Sequence, residues 1–157
     1  MVSFSIIYAS TGGHAKFVAK ELMDALVKAS GSVPVSIDRR PAELSRDEDL
    51  LDADVLVLVS SEVEGKRQLD EQMQTFLFGR ATDIDLDGRY VACVSLSGDE
   101  ETAEMLAQKF QEFIDTRHGV LFAPHLLLTD KDLFACGQAV DRWAHTLLRR
   151  HFHSHTP

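Results

Sequence analysis

Residues Ile6 to Leu26 read IIYASTGGHAKFVAKELMDAL, and the middle of this stretch decides the fold. Ser3 to Ala9 is apolar and rich in β-formers, so a strand is expected to run up to Ala9. Ser10-Thr11-Gly12-Gly13 is a turn. Beyond it Val18, Leu22, Ala25, Leu26 and Ala29 recur at helical spacing. A strand, a hydroxyl- and glycine-rich turn and a helix start therefore follow one another without a gap. Two hydroxyls offer hydrogen bonds to phosphate oxygens. Two glycines allow close backbone approach with the N–H groups aimed inward. The helix start adds unpaired N–H donors and the positive end of the dipole. Ser10, Thr11, Gly12, Gly13, His14 and Ala15 are thus the candidate phosphate contacts, with His14 contributing its backbone N–H. The loop is neither a Walker loop nor the GxGxxG of dinucleotide folds. The plainer reading is an ordinary turn in which a hydroxyl caps the helix.

Outward from this loop the pattern repeats. Ser30-Gly31-Ser32 ends the first helix, and Val33 to Asp38 reads as a second strand. Pro41 opens a helical stretch from Ala42 to about Leu51. Val55 to Val59 is an unbroken apolar run, the mark of a strand buried on both faces. Ser60 to Gln68 is a polar loop, and Leu69 to Phe78 a helix. Asp87-Gly88 turns into the fourth strand, Arg89 to Leu96. The loop Ser97-Gly98-Asp99 leads to a helix ending near Arg117, with Thr102, Met105, Leu106, Phe110, Phe113 and Ile114 on its apolar side. The fifth strand is expected unbroken from Val120 to Leu128. A last helix covers about Asp132 to Arg150, with Val140, Trp143, Ala144, Leu147 and Leu148 facing inward.

Alternation of this kind predicts a three-layer α/β/α sandwich around a five-stranded parallel sheet. Five strands suit the order 2-1-3-4-5, in which ligands sit beyond the carboxyl ends of the strands. The loops after the first, third and fourth strands then converge. One domain is expected over residues 1–150, with 151–157 as a tail.

The chain has 157 residues, and 45% are apolar, enough for one continuous core. Twenty-five acidic against 16 basic residues give a net charge of −9. That field repels nucleic acid and anionic membranes and favours a partner with a basic face. Cys93 and Cys136 are the two cysteines, lie in different expected elements and read as buried thiols in a reducing compartment. The sequence opens straight into a strand pattern, so a cytoplasmic location is expected.

The stretch Ile6 to Leu26 resembles the start of a flavodoxin, whose hydroxyl-rich loop (S/T)-x-T-G-x-T wraps the phosphate of FMN. Gly13 falls on the family glycine, and Ser10 and Thr11 on upstream loop positions. Gly12 and Ala15 stand where hydroxyls are usual. GRYVACVSLSGD, Gly88 to Asp99, is similar to the family's fourth strand and following loop. Gly13-His14 is similar to the same loop in the quinone-reductase branch. The resemblance implies FMN as cofactor and electron transfer to a redox protein. It also implies that the ring lies between Ser60, Ser61, Glu62 and Val63 on one side and Ser97, Gly98, Asp99 and Thr102 on the other. Glu62 sits where a Trp is common and Thr102 near the usual Tyr, and neither loop holds an aromatic residue. Two alternatives stay open. One is an FMN-dependent NAD(P)H:quinone-type reductase, and the other a domain that has lost the flavin and serves as an interaction module. No catalytic acid or base is singled out, and the oligomeric state is left open. His151, His153 and His155 read as a frayed tail, and His118 and His125 as structural. Trp143 reads as core, and Arg39-Arg40 and Arg149-Arg150 as surface pairs.

Overall fold

The computed structural model of the protein describes residues 2–9, 12–63, 65–81, 83–129 and 136–154. β1 (Val2–Ala9) leads into α1 (His14–Ser30), then β2 (Val35–Pro41). β3 (Val55–Ser61), α2 (Glu71–Thr75), β4 (Tyr90–Ser97) and α3 (Glu100–Thr116) follow. The chain then forms β5 (Val120–Leu121), β6 (Leu126–Thr129) and α4 (Cys136–Ser154). The strands are parallel in the order β2-β1-β3-β4-β5, and β6 also pairs with β4. The three-layer sandwich and strand order expected from the sequence are the ones observed.

Side-chain alternation along the strands explains the layers. Phe4 and Ile6 of β1, with Val55, Val57 and Val59 of β3, turn to the face covered by α1 and α4. Ile7, Leu56, Leu58 and Cys93 turn to the opposite face, under α2 and α3. Both faces are buried, which is why β3 reads as one continuous apolar run. α1 lays Ala15, Val18, Ala19, Leu22, Ala25 and Leu26 on its side of the sheet, and α4 adds Val140, Trp143, Ala144, Leu147 and Leu148. Met105, expected on the apolar side of α3, is instead partly exposed, while Thr102 is buried. Both cysteines are buried and in no disulfide, and burial pushes the Cys93 thiol well above its ordinary value.

Three elements differ from expectation. The stretch after Pro41 forms two short 3₁₀ turns, Ala42–Leu44 and Asp47–Leu50, rather than one helix. Polar side chains capture the backbone there. Ser45 Oγ donates to the Pro41 carbonyl at 2.9 Å, and Asp49 accepts from the Arg46 amide at 2.7 Å. Buried Asp49 is also held by Arg40 at 3.2 Å. The helix expected through Phe78 is α only from Glu71 to Thr75 and then widens into a π turn, Phe76–Arg80. The guanidinium of Arg80, the last residue of that turn, donates to the Ala42 and Ser45 carbonyls.

The fifth strand is broken. Tyr90 and Val91 face Val120 and Leu121, whereas Val94 faces Leu126. Ala92 and Cys93 of β4 therefore lie opposite the four residues Phe122 to His125. Pro124 has no N–H to continue the ladder, so the chain bulges there. The Pro124 carbonyl is taken up by the Trp143 indole N–H at 2.9 Å. The last helix runs on to Ser154, through part of the segment read as a frayed tail. The beginning expected for that helix, at Asp132, lies outside the described residues, as does His155.

Trp143 is 6% exposed and closes this bulge with both its ring and its N–H. Trp143→Ala should cost about 3–5 kcal/mol, the usual range for emptying a large aromatic site. Urea unfolding followed by far-UV dichroism measures this. Phe17→Ala, at a half-exposed position on α1, should change stability by less than about 0.5 kcal/mol in the same assay.

Candidate functional site

The first loop begins where β1 ends, at Ala9. Ser10 and Thr11 lie outside the described residues. Gly13 takes φ +83°, a left-handed conformation that side-chain-bearing residues rarely adopt, and this turns the chain into α1. Its carbonyl accepts the first helical hydrogen bond, from the Phe17 amide at 3.1 Å. Gly13 is therefore the N-cap, and it brings no side chain of its own to the first turn. That turn carries no acidic residue. A Cβ built on Gly12 or Gly13 would meet nothing within 4 Å, so the space beside both is open. His14 is exposed, while Ala15 is fully buried and anchors the helix start against the sheet. Lys16 is exposed in the same first turn. A cation there opposes the helix dipole, and a bound anion relieves both. Sequence reading passed over Lys16, although its place three residues beyond Gly13 was a legible sign.

The loops after β3 and β4 are tied to each other. Ser60 is fully buried; its hydroxyl donates to the Ser61 carbonyl at 2.9 Å and accepts from the Asp70 amide at 3.1 Å. Glu62 forms an antiparallel bridge with Leu69, and the Val63 amide donates to the Gln68 carbonyl at 2.8 Å. The segment thus folds back on itself as a narrow hairpin. The Glu62 amide reaches across to the Leu96 carbonyl at 3.0 Å. Its carboxylate accepts from Ser97 Oγ at 3.0 Å and from the Arg67 amide at 2.9 Å. Nothing in the residue pattern announced this link, because it joins positions 35 apart in sequence.

Gly98 and Asp99 are exposed at the same edge of the sheet. Asp99 caps α3: its carboxylate accepts from the Thr102 amide at 2.8 Å and from Thr102 Oγ1 at 3.1 Å. Those hydrogen bonds, the amide first, hold the Asp99 carboxyl below its ordinary value. Thr102 is 1% exposed and spends its hydroxyl on Asp99. Of the residues singled out in these two loops, Ser60, Glu62, Ser97 and Thr102 all have side chains engaged within the protein, and the Glu62 and Val63 amides are engaged as well.

The two ends of the site differ in chemistry. The start of α1 suits a phosphate: it offers N–H donors, the helix dipole and Lys16, with no carboxylate in the first turn. The β3 and β4 loops, with the Ser60, Ser97 and Thr102 hydroxyls already engaged, carry no aromatic residue to give a flat ring a face. A cavity of about 390 Å³ adjoins the phosphate end. It is lined by Tyr8, Ala9, Gly13 and Lys16, by Pro41 at the end of β2 with Ala42 and Glu43 after it, and by Asp70 and Gln72 at α2. Sequence reading had assigned none of these a role except Gly13.

The sequence matches the family model described as Flavodoxin over residues 6–138. No curated protein matches it significantly. Among solved structures, a cysteine-to-alanine variant of flavodoxin from Pseudomonas aeruginosa superposes with a TM-score of 0.77 at 16% identity. The match covers 94% of this chain and 97% of that one. Oxidised flavodoxin 1 from Bacillus cereus gives 0.69 at 18% identity, over 94% and 97% of the two chains. An oxidoreductase from Corynebacterium diphtheriae gives 0.74 at 14% identity, over 96% of each. At these identities the likeness is one of fold.

The Asp99 cap makes a pH prediction. A carboxylate held below its ordinary value stabilises the fold above the unfolded value of 3.8, and that contribution is lost as pH falls through the lower folded value. Asp99→Ala should therefore lower the melting temperature at neutral pH. The gap between variant and wild type should close in acid, as thermal melts taken across the acid range would record.

Proposed function

The chain belongs to the flavodoxin family, and on that premise we propose that it binds FMN and carries electrons between redox proteins. The observation that carries this reading is the start of α1: a helix N-terminus with no acidic residue in its first turn, behind a left-handed glycine, on the flavodoxin strand order. In this reading Ser10, Thr11, Gly12, Gly13, His14 and Ala15 surround the 5′-phosphate, mainly through main-chain N–H groups. Ser60, Ser61, Glu62 and Val63 flank the ring on one side and Ser97, Gly98 and Asp99 on the other, with Thr102 acting through Asp99. FMN supplies the redox chemistry when bound, exchanging electrons singly or in pairs.

The protein's own residues bind, orient and set the electrostatics. The Glu62 link to Ser97 holds the two ring-side loops at one spacing. Glu62, Asp99, Glu100 and Glu101 place negative charge there, and Arg67 faces Glu101 at 3.8 Å. Such charge opposes adding electrons to the cofactor and lowers its potential. It also steers a partner with a basic face. A carrier needs no general acid or base. A cytoplasmic location belongs to this proposal. Without aromatic faces, at about 0.5–1.5 kcal/mol each, ring affinity falls by about one to two decades.

One observation favours a second reading. The carboxylate of Glu62 is already engaged where a stacking residue is usual, as suits an interaction module that has given up the flavin.

The visible absorbance of the purified protein and a fluorescence titration with FMN separate the two readings. A yellow protein, or a colourless one that takes up added FMN, is expected. A colourless protein indifferent to FMN defeats the carrier reading and leaves the module. Gly13→Val forces a branched side chain onto φ +83° and into the open space beside the helix start. It should weaken FMN binding at least about tenfold, and unchanged affinity would remove this loop from the site.

A further inference from the structure

The cations of this chain are sorted by layer. α1 and α4 lie together on one face of the sheet, and over residues 14–30 and 136–154 six Lys and Arg stand against three Asp and Glu. The chain as a whole has the reverse balance, 25 acidic to 16 basic. Lys16, Lys20, Lys28, Arg142, Arg149 and Arg150 are all exposed. Among the described residues none of these six forms an ion pair, whereas Arg40, Arg46, Arg67 and Lys109 elsewhere each meet a carboxylate. On α4, Arg142, His145 and Arg149 recur at helical spacing, opposite the buried Val140, Trp143, Ala144 and Leu147. Two large apolar side chains stand among the cations of α1: Phe17 is 50% exposed and Val27 55%. On the other face of the sheet α3 exposes Glu100, Glu101, Glu104, Glu112 and Asp115.

We propose that the face formed by α1 and α4 docks on an anionic phospholipid surface, with Phe17 and Val27 entering the headgroup region. Averaged over the chain, the charge predicts repulsion from such a surface. Sorting by layer reverses this. The two helix layers stand about 20 Å apart, twice the roughly 10 Å spacing of packed layers. At physiological salt a charge is screened over about 8 Å. A surface touching α1 and α4 therefore meets the unpaired cations, while the α3 carboxylates lie too far away to oppose them. The acids it does meet are Glu21, Asp24 and Asp141. An acidic protein would also satisfy the cations, but two features favour lipid. The charge runs along the helix, from Lys16 to Lys28 over about 18 Å, which matches an extended plane of like charge. Phe17 and Val27 stand out beside Lys20 and Lys28, the pairing of apolar anchor and cation that an interfacial helix carries. The loops after β3 and β4 lie at the carboxyl edge of the sheet and not on this face, so docking leaves them open. The inference does not rest on the flavin reading.

The test is flotation of the full-length protein with phosphatidylcholine vesicles, with and without phosphatidylserine, at about 0.15 M salt. Wild type should bind the vesicles containing phosphatidylserine at least about tenfold more tightly than phosphatidylcholine alone, and less tightly as salt is raised. The double variant Arg142→Glu with Arg149→Glu should lose about tenfold or more. Phe17→Ala, which keeps every charge, should lose about twofold or more. Glu104→Lys, on the opposite face, should change binding by less than about twofold. Thermal melts check that each variant folds. Wild type indifferent to phosphatidylserine overturns the inference. So does binding that survives the double charge reversal or Phe17→Ala, or that Glu104→Lys strengthens as much as the double variant weakens it. Capture of the protein by poly-L-glutamate but not by vesicles makes the occupant an acidic protein and overturns it as well.

Discussion

The arrangement depends on one geometric constraint, the rigid aim of the α1 amides. β1 is paired on both sides, with β2 through Tyr8–Pro41 and with β3 through Ala9–Ser60, so its end cannot drift. Gly13 then reverses the backbone in a left-handed conformation. Ala15, Val18 and Leu22 clamp the first turns of the helix onto the sheet. Donors fixed in this way need no reorganisation when an anion arrives, and the dipole adds to each of them.

Around this fixed point the two ring-side loops solve a different problem. They are joined to each other by the Glu62 carboxylate, which accepts from Ser97 and Arg67, and not by packing of aromatic rings. A carboxylate gives direction and charge but little apolar area. In the proposed reading, specificity at this end comes from hydrogen bonding and field, and binding strength from the phosphate end. The acidic balance of the whole chain, −9, is in keeping with the local charge.

Much of this was legible in the residues. The apolar run Val55 to Val59 marks a two-faced strand because α helices cover both sides, and the spacing in α1 and α4 marks their buried stripes. Gly13 marks the turn into α1 because few other residues tolerate its left-handed backbone. What failed was local competition and distant pairing. Ser45 and Asp49 divert backbone hydrogen bonds that helical periodicity alone credits to a helix. Pro124 and Trp143 break an apolar run that reads as one strand, through a hydrogen bond between residues 19 apart. Glu62 meets Ser97 only because β3 and β4 are neighbours, so its role follows from strand order and not from its own surroundings in sequence.

The central claim is that the main-chain amides at the start of α1 grip a dianion. Comparing the affinity of the apoprotein for FMN with its affinity for riboflavin, which lacks the phosphate, tests this most directly. The account predicts that FMN binds at least about a hundredfold tighter, a difference that narrows as salt is raised. Equal affinity for the two would contradict it.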